Sequence, residues 1–273
     1  PCWSNSCCLC GQPVSQGEEV LRIAAKGDGV TASGRFVAGT APGDLILADG
    51  TIQPGPHHAT PPCRHFGSCG GCQLQQLDEV SLAGYVSDRV VNAAAGQGLI
   101  PERVAPPHLS PPNSRRRASL RAESKGGRVI LGYREARSHR IVDLAECPVL
   151  LPELAALIAP VRKLLARSFS GKDRGGRIAA DIELAAVEQG VDLAIRGLAV
   201  EGLAATEAML DFAREQHLAR QTLDQGYGAE ALWEPEPVTV ALGGVSVGYP
   251  SGSFLQATAD GEAALVAAAR EWL

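Results

Sequence analysis

Between residues 18 and 55 apolar and polar residues alternate in short runs. EEVLRIA and KGDGVTASGRFVAGTAPGDLILADG place an apolar side chain at roughly every second position, broken by glycine-rich turns. GDG and APGD are tight-turn signals, where glycine supplies a positive φ. The pattern predicts a small β-barrel over 18–55. Residues 1–17 have no period and read as an irregular leader. TIQPGPHHATPP, with its linker at 56–62, is too rich in proline for regular structure, and His57 and His58 are expected to be exposed spacers in it. At residue 74 the period lengthens. LQQLDEVSLAGYVSDRVVNAAA repeats its apolar positions at helical spacing, which predicts a helix burying Leu77, Val80, Leu82, Tyr85, Val86 and Val90 on one face.

Further along, RRRASLRAESKGGRVILGYREARSHRIVDL returns to alternation, with KGG as a hairpin turn. PELAALIAPVRKLLARS predicts an amphipathic helix with Pro152 in its first turn. GRIAADIELAAVEQGVDLAIRGL predicts two strands joined at EQG, and ATEAMLDFAREQHLARQTL a further helix. PVTVALGGVSVGYPSGSFLQAT returns to strands, and DGEAALVAAAREWL begins a helix. The fold class that follows is α+β and multidomain. A cysteine motif with its helix occupies 63–100, an α+β domain 101–236, and a lead-in to another domain 237–273.

Charge changes this picture locally. The 273 residues sum to −5, which gives no global case for a polyanionic partner. Residues 101–140, however, carry ten Arg or Lys against three Glu, whereas 181–236 carry twelve acidic residues against three Arg. A basic segment can face RNA while the total stays acidic. Alternation puts Arg115 and Arg117 on one strand face, with Arg121 further along, and phosphate contact is their functional reading. The alternative is a solvated edge that blocks strand pairing. No run of eighteen apolar residues and no export pattern is visible, so no membrane span is expected and the expected setting is a cytoplasmic monomer.

The candidate chemistry lies in CRHFGSCGGC, which sets Cys63, Cys69 and Cys72 within ten residues. The Cys69–Cys72 spacing lets one turn aim two sulfurs at a single centre, and Gly70 and Gly71 free the backbone and its amides. Zinc and a [4Fe–4S] cluster both need a fourth ligand, and Cys147, followed by a proline, is the next cysteine. An x5, x2 triplet with a remote fourth cysteine favours iron–sulfur. Zinc, structural or redox thiols and disulfides stay open as alternatives. Cys2, Cys7, Cys8 and Cys10 crowd the leader, where CCLCG could be half a zinc knuckle, but no second pair lies near.

Cys63, Cys69, Gly70, Gly71, Cys72, Gln75 and Cys147 resemble the iron–sulfur signature of the bacterial RNA uracil-C5 methyltransferases, most of all those that make 5-methyluridine in 23S ribosomal RNA. EVLRIAAKGDGVTASGRFVAGTAPGDLI resembles a shortened form of that family's amino-terminal TRAM domain, an RNA-binding barrel of OB type. RRRASLRAESKGGRVILGYREARSHRIVDLAECPVL resembles its central domain. GSFLQATADGEAALVAAAREWL resembles the approach to its Rossmann-like methyltransferase domain, with Phe254 and Gln256 at motif positions and Thr258 where asparagine is usual.

The resemblance implies a [4Fe–4S] cluster on Cys63, Cys69, Cys72 and Cys147, with Phe66 shielding it. It also implies RNA, most of all 23S ribosomal RNA, as partner, and Gln256 beside the target base. S-adenosyl-L-methionine would bind in the full-length protein, whose nucleophilic cysteine and general-base glutamate are expected beyond residue 273. On this reading the chain is a fragment, inactive alone. A stand-alone RNA-binding module with a structural metal, and a ferredoxin-like carrier, are the competing readings. His65 is expected near the cluster, near RNA or simply at the surface. His139 is expected on the basic face. Tyr133 and Phe254 could stack on an extruded base, but core packing is the expectation for both.

Overall fold

A computed structural model describes residues 17–125, 128–136, 138–169 and 178–273. The leader with Cys2, Cys7, Cys8 and Cys10, the two hairpin glycines of KGG and Arg137 lie outside these residues. The chain divides into two compact units. One runs up to Pro61 and resumes over Gln73–Pro107; the other joins Pro62–Cys72 to His108–Leu273.

The first unit is built on β1 (Glu18–Ile23), β2 (Gly29–Thr31), β3 (Phe36–Val37), β4 (Leu45–Ile46) and β5 (Ile52–Gln53). Their order is β3-β2-β1-β4-β5, every pair antiparallel. A register shift between Val20 and Arg22 bends β1, as bulges do, and the sheet curls into an OB-like half-barrel. Its apolar core is small: Val20, Val30, Ala41 and Ile46. Buried polar pins supplement it. Asp44 is fully buried; its Oδ2 accepts from the Ala41 amide (2.7 Å) and lies 2.8 Å from His58 Nδ1, and its Oδ1 accepts from the Gly55 amide (2.8 Å). The Gln76 amide donates to the Thr40 carbonyl at 3.0 Å.

Helix α1 (Glu79–Ala95) is capped by Asp78, whose carboxylate accepts from the Ser81 amide at 2.8 Å. His57 Nδ1 sits 2.9 Å from the same carboxylate and is the main reason its pKa lies below the usual range. His57 and His58 are therefore anchors rather than the expected spacers. The helix face also differs from its sequence reading, since Val80 and Val90 are 71% and 69% exposed. No residue of α1 is fully buried; Tyr85 and Arg89 tie the helix to the Ala25 carbonyl instead.

The second unit holds β6 (Arg117–Lys125), β7 (Arg128–Gly132), α2 (Pro152–Phe169), β8 (Ile178–Val187), β9 (Gly190–Arg196), α3 (Leu203–Glu215), β10 (Leu218–Asp224), β11 (Ala229–Trp233), the β12 (Thr239–Leu242) and β13 (Val245–Gly248) hairpin, and α4 (Ala259–Trp272). The six-stranded order is β11-β10-β9-β8-β6-β7, antiparallel except for β9 and β10, which are joined through α3. Ala118, Leu120 and Ala122 of β6 face the core with Leu154, Leu157, Ile158, Val161, Leu164 and Leu165 of α2. The alternate residues Arg117, Ser119 and Arg121 lie on the opposite sheet face.

The helix expected to run through QTL stops at Glu215, and LARQTLD is a strand. His217 takes a left-handed conformation, φ 50°, which ends the helix. The strand beyond it is buried on both faces, so it lacks the alternation that marks half-exposed strands. The short β11 had no expectation attached to it.

Candidate nucleic-acid interface and thiol site

The loop 62–72 turns back on itself through the His65 carbonyl, which accepts from the Ser68 (3.2 Å) and Cys69 (2.8 Å) amides. It is then stitched to the chain after β7. Cys69 bridges Glu135, and the Gly70 amide donates to the Arg134 carbonyl at 2.9 Å. The Ala145 amide donates to His65 Nε2 at 3.1 Å, which puts the ring proton on Nδ1. Arg64 lies 3.6 Å from Glu146.

The glycines are needed for close approach. A Cβ on Gly70 would stand 2.6 Å from the Arg134 carbonyl oxygen, and one on Gly71 3.2 Å from the Tyr133 ring.

The four expected thiols differ in exposure. Cys69 is buried, and Cys63, Cys72 and Cys147 are half-buried. Burial pushes the Cys69 thiol up; the Gly71 N–H opposes this, and charge on Cys147 and Cys63 adds to it. Tyr133 is pushed up to about 12 by burial and by Cys147; Arg115 opposes, while Cys69 and Cys72 add. Among the described residues no group of three or more His, Cys, Asp or Glu side chains is arranged to hold a metal ion. Tyr133 packs against the core as expected.

The arginine run divides by role. Arg115 runs between the 149–151 segment and Thr258, and its Nε donates to the Arg117 carbonyl at 3.1 Å. Arg116, the one without an expectation, is buried. Its amide donates to the Ala257 carbonyl, its Nε to the Gln256 carbonyl at 3.1 Å, and its guanidinium pairs with Glu262. Arg121 pairs with Asp181 at 2.7 Å. Arg117 lies over the ring of Phe254, 5.2 Å from its centroid, and its buried Nε has no hydrogen-bond partner. Phe254 is 74% exposed, against the expectation of core packing, because its neighbours Tyr249 and Leu255 fill the small core under the β12–β13 hairpin.

A cleft of about 240 Å³ opens between this ring and the polar sheet face, lined among others by Arg117, Ser119, Tyr249, Ser253 and Phe254. Its carboxylates are already engaged. Glu183 is held by Arg196 at 3.1 Å through both oxygens, and Asp192 by Arg220 at 3.0 and 2.7 Å. Tyr249 Oη donates to the Ser253 carbonyl at 2.8 Å, so the open functions of the cleft are the Phe254 ring face with the Arg117 guanidinium beside it. Such a surface suits a planar, acceptor-bearing ligand. Gln256 is half-buried at the carboxyl end of the same segment.

Thr258, where the family's asparagine is usual, caps α4 by accepting from the Gly261 amide at 3.1 Å. The segment 108–110 is strapped to this helix end. Ser110 Oγ is 2.8 Å from Thr258 Oγ1, and His108 Nε2 is 2.6 Å from Asp260. The Asp260 carboxyl is lowered to about 2, chiefly by His108 and then by Ser110. A depressed carboxylate contributes above its ordinary value and loses that contribution as pH falls through the depressed one. The strap should therefore hold at neutral pH and loosen between about pH 4 and 2. Hydrogen exchange at Gly261 and neighbouring amides, rising over that interval before global unfolding, checks it.

No family model matches the chain. An uncharacterized RNA methyltransferase of Zymomonas mobilis is 44% identical over 254 residues, which are 93% of this chain and 63% of that protein. A 23S rRNA (uracil(1939)-C(5))-methyltransferase of Pectobacterium atrosepticum is 31% identical over 81% of this chain and 49% of its own length. Over the span it shares with them, the chain is thus similar to RNA methyltransferases, a 23S rRNA uracil-C5 enzyme among them. The crystal structure of a Pyrococcus abyssi tRNA (uracil-54, C5)-methyltransferase, in complex with S-adenosyl-L-homocysteine, superimposes with a TM-score of 0.66 at 18% identity, covering 94% of this chain and 65% of that one. The chain thus spans about three fifths of the length of the Zymomonas relative. Among the described residues no helix is long and apolar enough to cross a membrane.

Proposed function

We propose that this chain is the RNA-binding and iron–sulfur portion of a 23S rRNA (uracil-C5)-methyltransferase working as a cytoplasmic monomer. The observation that carries the proposal is that one compact unit holds both the cysteine loop, with Cys147, and the Arg117–Phe254 cleft, two residues before Gln256 in sequence. The half-barrel serves as the TRAM-like element. Cys63, Cys69, Cys72 and Cys147 hold a [4Fe–4S] cluster that fixes the 62–72 loop, with Phe66 beside them. Phe254 and Arg117 receive a base of the RNA, Gln256 orients the target uracil, and Arg115 and Arg121 complete the basic strand.

S-adenosyl-L-methionine, bound in the full-length protein, supplies the methyl group. The task of the present residues is to bind and orient RNA, with the nucleophilic cysteine and the general base carried by the methyltransferase domain. Ribosomal rather than transfer RNA is favoured by the Pectobacterium relative, at 31% identity, over the Pyrococcus protein at 18%.

The test is Gln256→Ala in a protein carrying this span together with that domain. Loss of one oriented hydrogen bond made in the transition state should lower kcat about 100-fold while leaving RNA affinity within about twofold. A fully active variant would remove Gln256 from the assignment.

A further inference from the structure

The half-barrel unit has a groove of its own. It is about 400 Å³ and runs between β1 and α1, lined by Leu21, Arg22, Ser81, Tyr85, Asp88 and Arg89. The Arg89 guanidinium lies over the Tyr85 ring, 5.8 Å from its centroid. Both side chains are fixed from below, since Tyr85 Oη and an Arg89 terminal nitrogen donate to the Ala25 carbonyl at 3.1 and 3.0 Å. The same nitrogen donates to Tyr85 Oη at 3.0 Å. The result is an immobilised flat cation with an exposed surface. Leu21 on β1 is 57% exposed in the same groove, a solvated apolar side chain on a strand. Flat cationic and apolar surfaces with a polar rim suit a planar heterocycle.

Charge separates a base from a phosphate here. Residues 1–61 and 73–107 carry five Arg or Lys and nine Asp or Glu, a net of −4. In the groove Asp88 offsets one of its two arginines. Backbone binding needs neutralised phosphates, and this unit is a poor source of that. Stacking needs only a π-face.

Resting on the RNA-binding reading above, we propose that the groove between β1 and α1 stacks one unpaired RNA base on the Arg89–Tyr85 surface, with Leu21 as the apolar side of the slot. The base is bound without a phosphate clamp, so the groove contributes affinity that salt leaves alone.

The test is fluorescence anisotropy of the whole chain with a labelled single-stranded oligouridine over a range of salt. Tyr85→Ala should weaken binding about 5- to 150-fold, the usual cost of removing a stacked aromatic, with an unchanged salt slope. Tyr85→Phe keeps the ring and should stay within about twofold of the parent. Leu21→Glu, an exposed substitution that leaves the fold intact, should also weaken binding. It decides the matter where Tyr85→Ala lowers stability. Parental affinity in both Tyr85→Ala and Leu21→Glu would overturn the groove assignment, give the groove to a protein segment instead, and leave the RNA-binding reading standing. A parent chain that binds no RNA would overturn both.

Discussion

Cys147→Ser should strip the iron from the anaerobically purified protein as completely as Cys69→Ser, from about four irons per chain to less than one. The reason lies in connectivity. Cys147 ends the segment that carries Glu135, Ala136 and Ala145, the residues against which the 62–72 loop is hydrogen-bonded. Without a cluster, that loop is held to it by a few backbone hydrogen bonds and a half-exposed Arg64–Glu146 pair, each weak in water. Binding energy at structural metal sites, on the order of 10 kcal/mol, appears as folding energy. Both variants should therefore open the loop to protease while the β6–β10 sheet stays folded. Tyr133→Phe keeps all four thiols and should keep its iron. Stoichiometric zinc without iron, or a Cys147→Ser protein with its iron intact, would refute the cluster.

Arg220→Ala is the substitution with the largest expected cost in the sheet itself. Arg220 and Asp192 are 6% and 5% exposed and joined through two hydrogen bonds, with Glu234 at 3.7 Å. Removing the cation leaves a carboxylate buried and unpaired, which costs about 3–5 kcal/mol. For a unit of this size that is about 6–20 °C in Tm. The pair also sits beside Tyr249: burial pushes that phenol up, and the Asp192 charge adds to it while Arg220 opposes. Asp192 lines the cleft before Phe254, so the variant should lose RNA affinity as well as stability. Replacing both partners, Asp192→Leu with Arg220→Met, should restore most of the Tm, because an apolar pair leaves no orphan charge. Thermal unfolding followed by circular dichroism checks both.

The contrast between Arg220 and Arg117 shows what the sequence could carry. Period-two alternation put Arg115 and Arg117 on one strand face, but β6 begins at Arg117 and leaves Arg115 outside it. The x5, x2 cysteine spacing with a remote fourth thiol is legible directly in sequence, whereas among the described residues no side-chain group is arranged to hold a metal ion. Arg220 was illegible for a different reason. A charged residue in a strand buried on both faces is tolerated only with its partner, and Asp192 is 28 residues away on a parallel neighbour. With Leu, Ala, Arg and Gln all good helix formers, LARQTL read as helix. His57 and His58 looked like spacers because their partners, Asp78 and Asp44, are distant in sequence. Arg116 was passed over because its use depends on Glu262 and the Gln256 carbonyl, contacts that exist only after folding. Phe254 was expected in the core because aromatics usually pack; it is Tyr249 and Leu255 that pack, leaving the Phe254 ring outside over Arg117.

The measurement that bears most directly on the central claim is transfer of tritiated methyl from S-adenosyl-L-methionine to unmodified 23S ribosomal RNA. It compares residues 1–273 alone with a protein carrying this span and the methyltransferase domain. The account predicts RNA binding without incorporation for the span alone, and tritium recovered as 5-methyluridine in 23S RNA for the longer protein. Incorporation by the span alone, or a longer protein that methylates no uridine in ribosomal RNA, would contradict it.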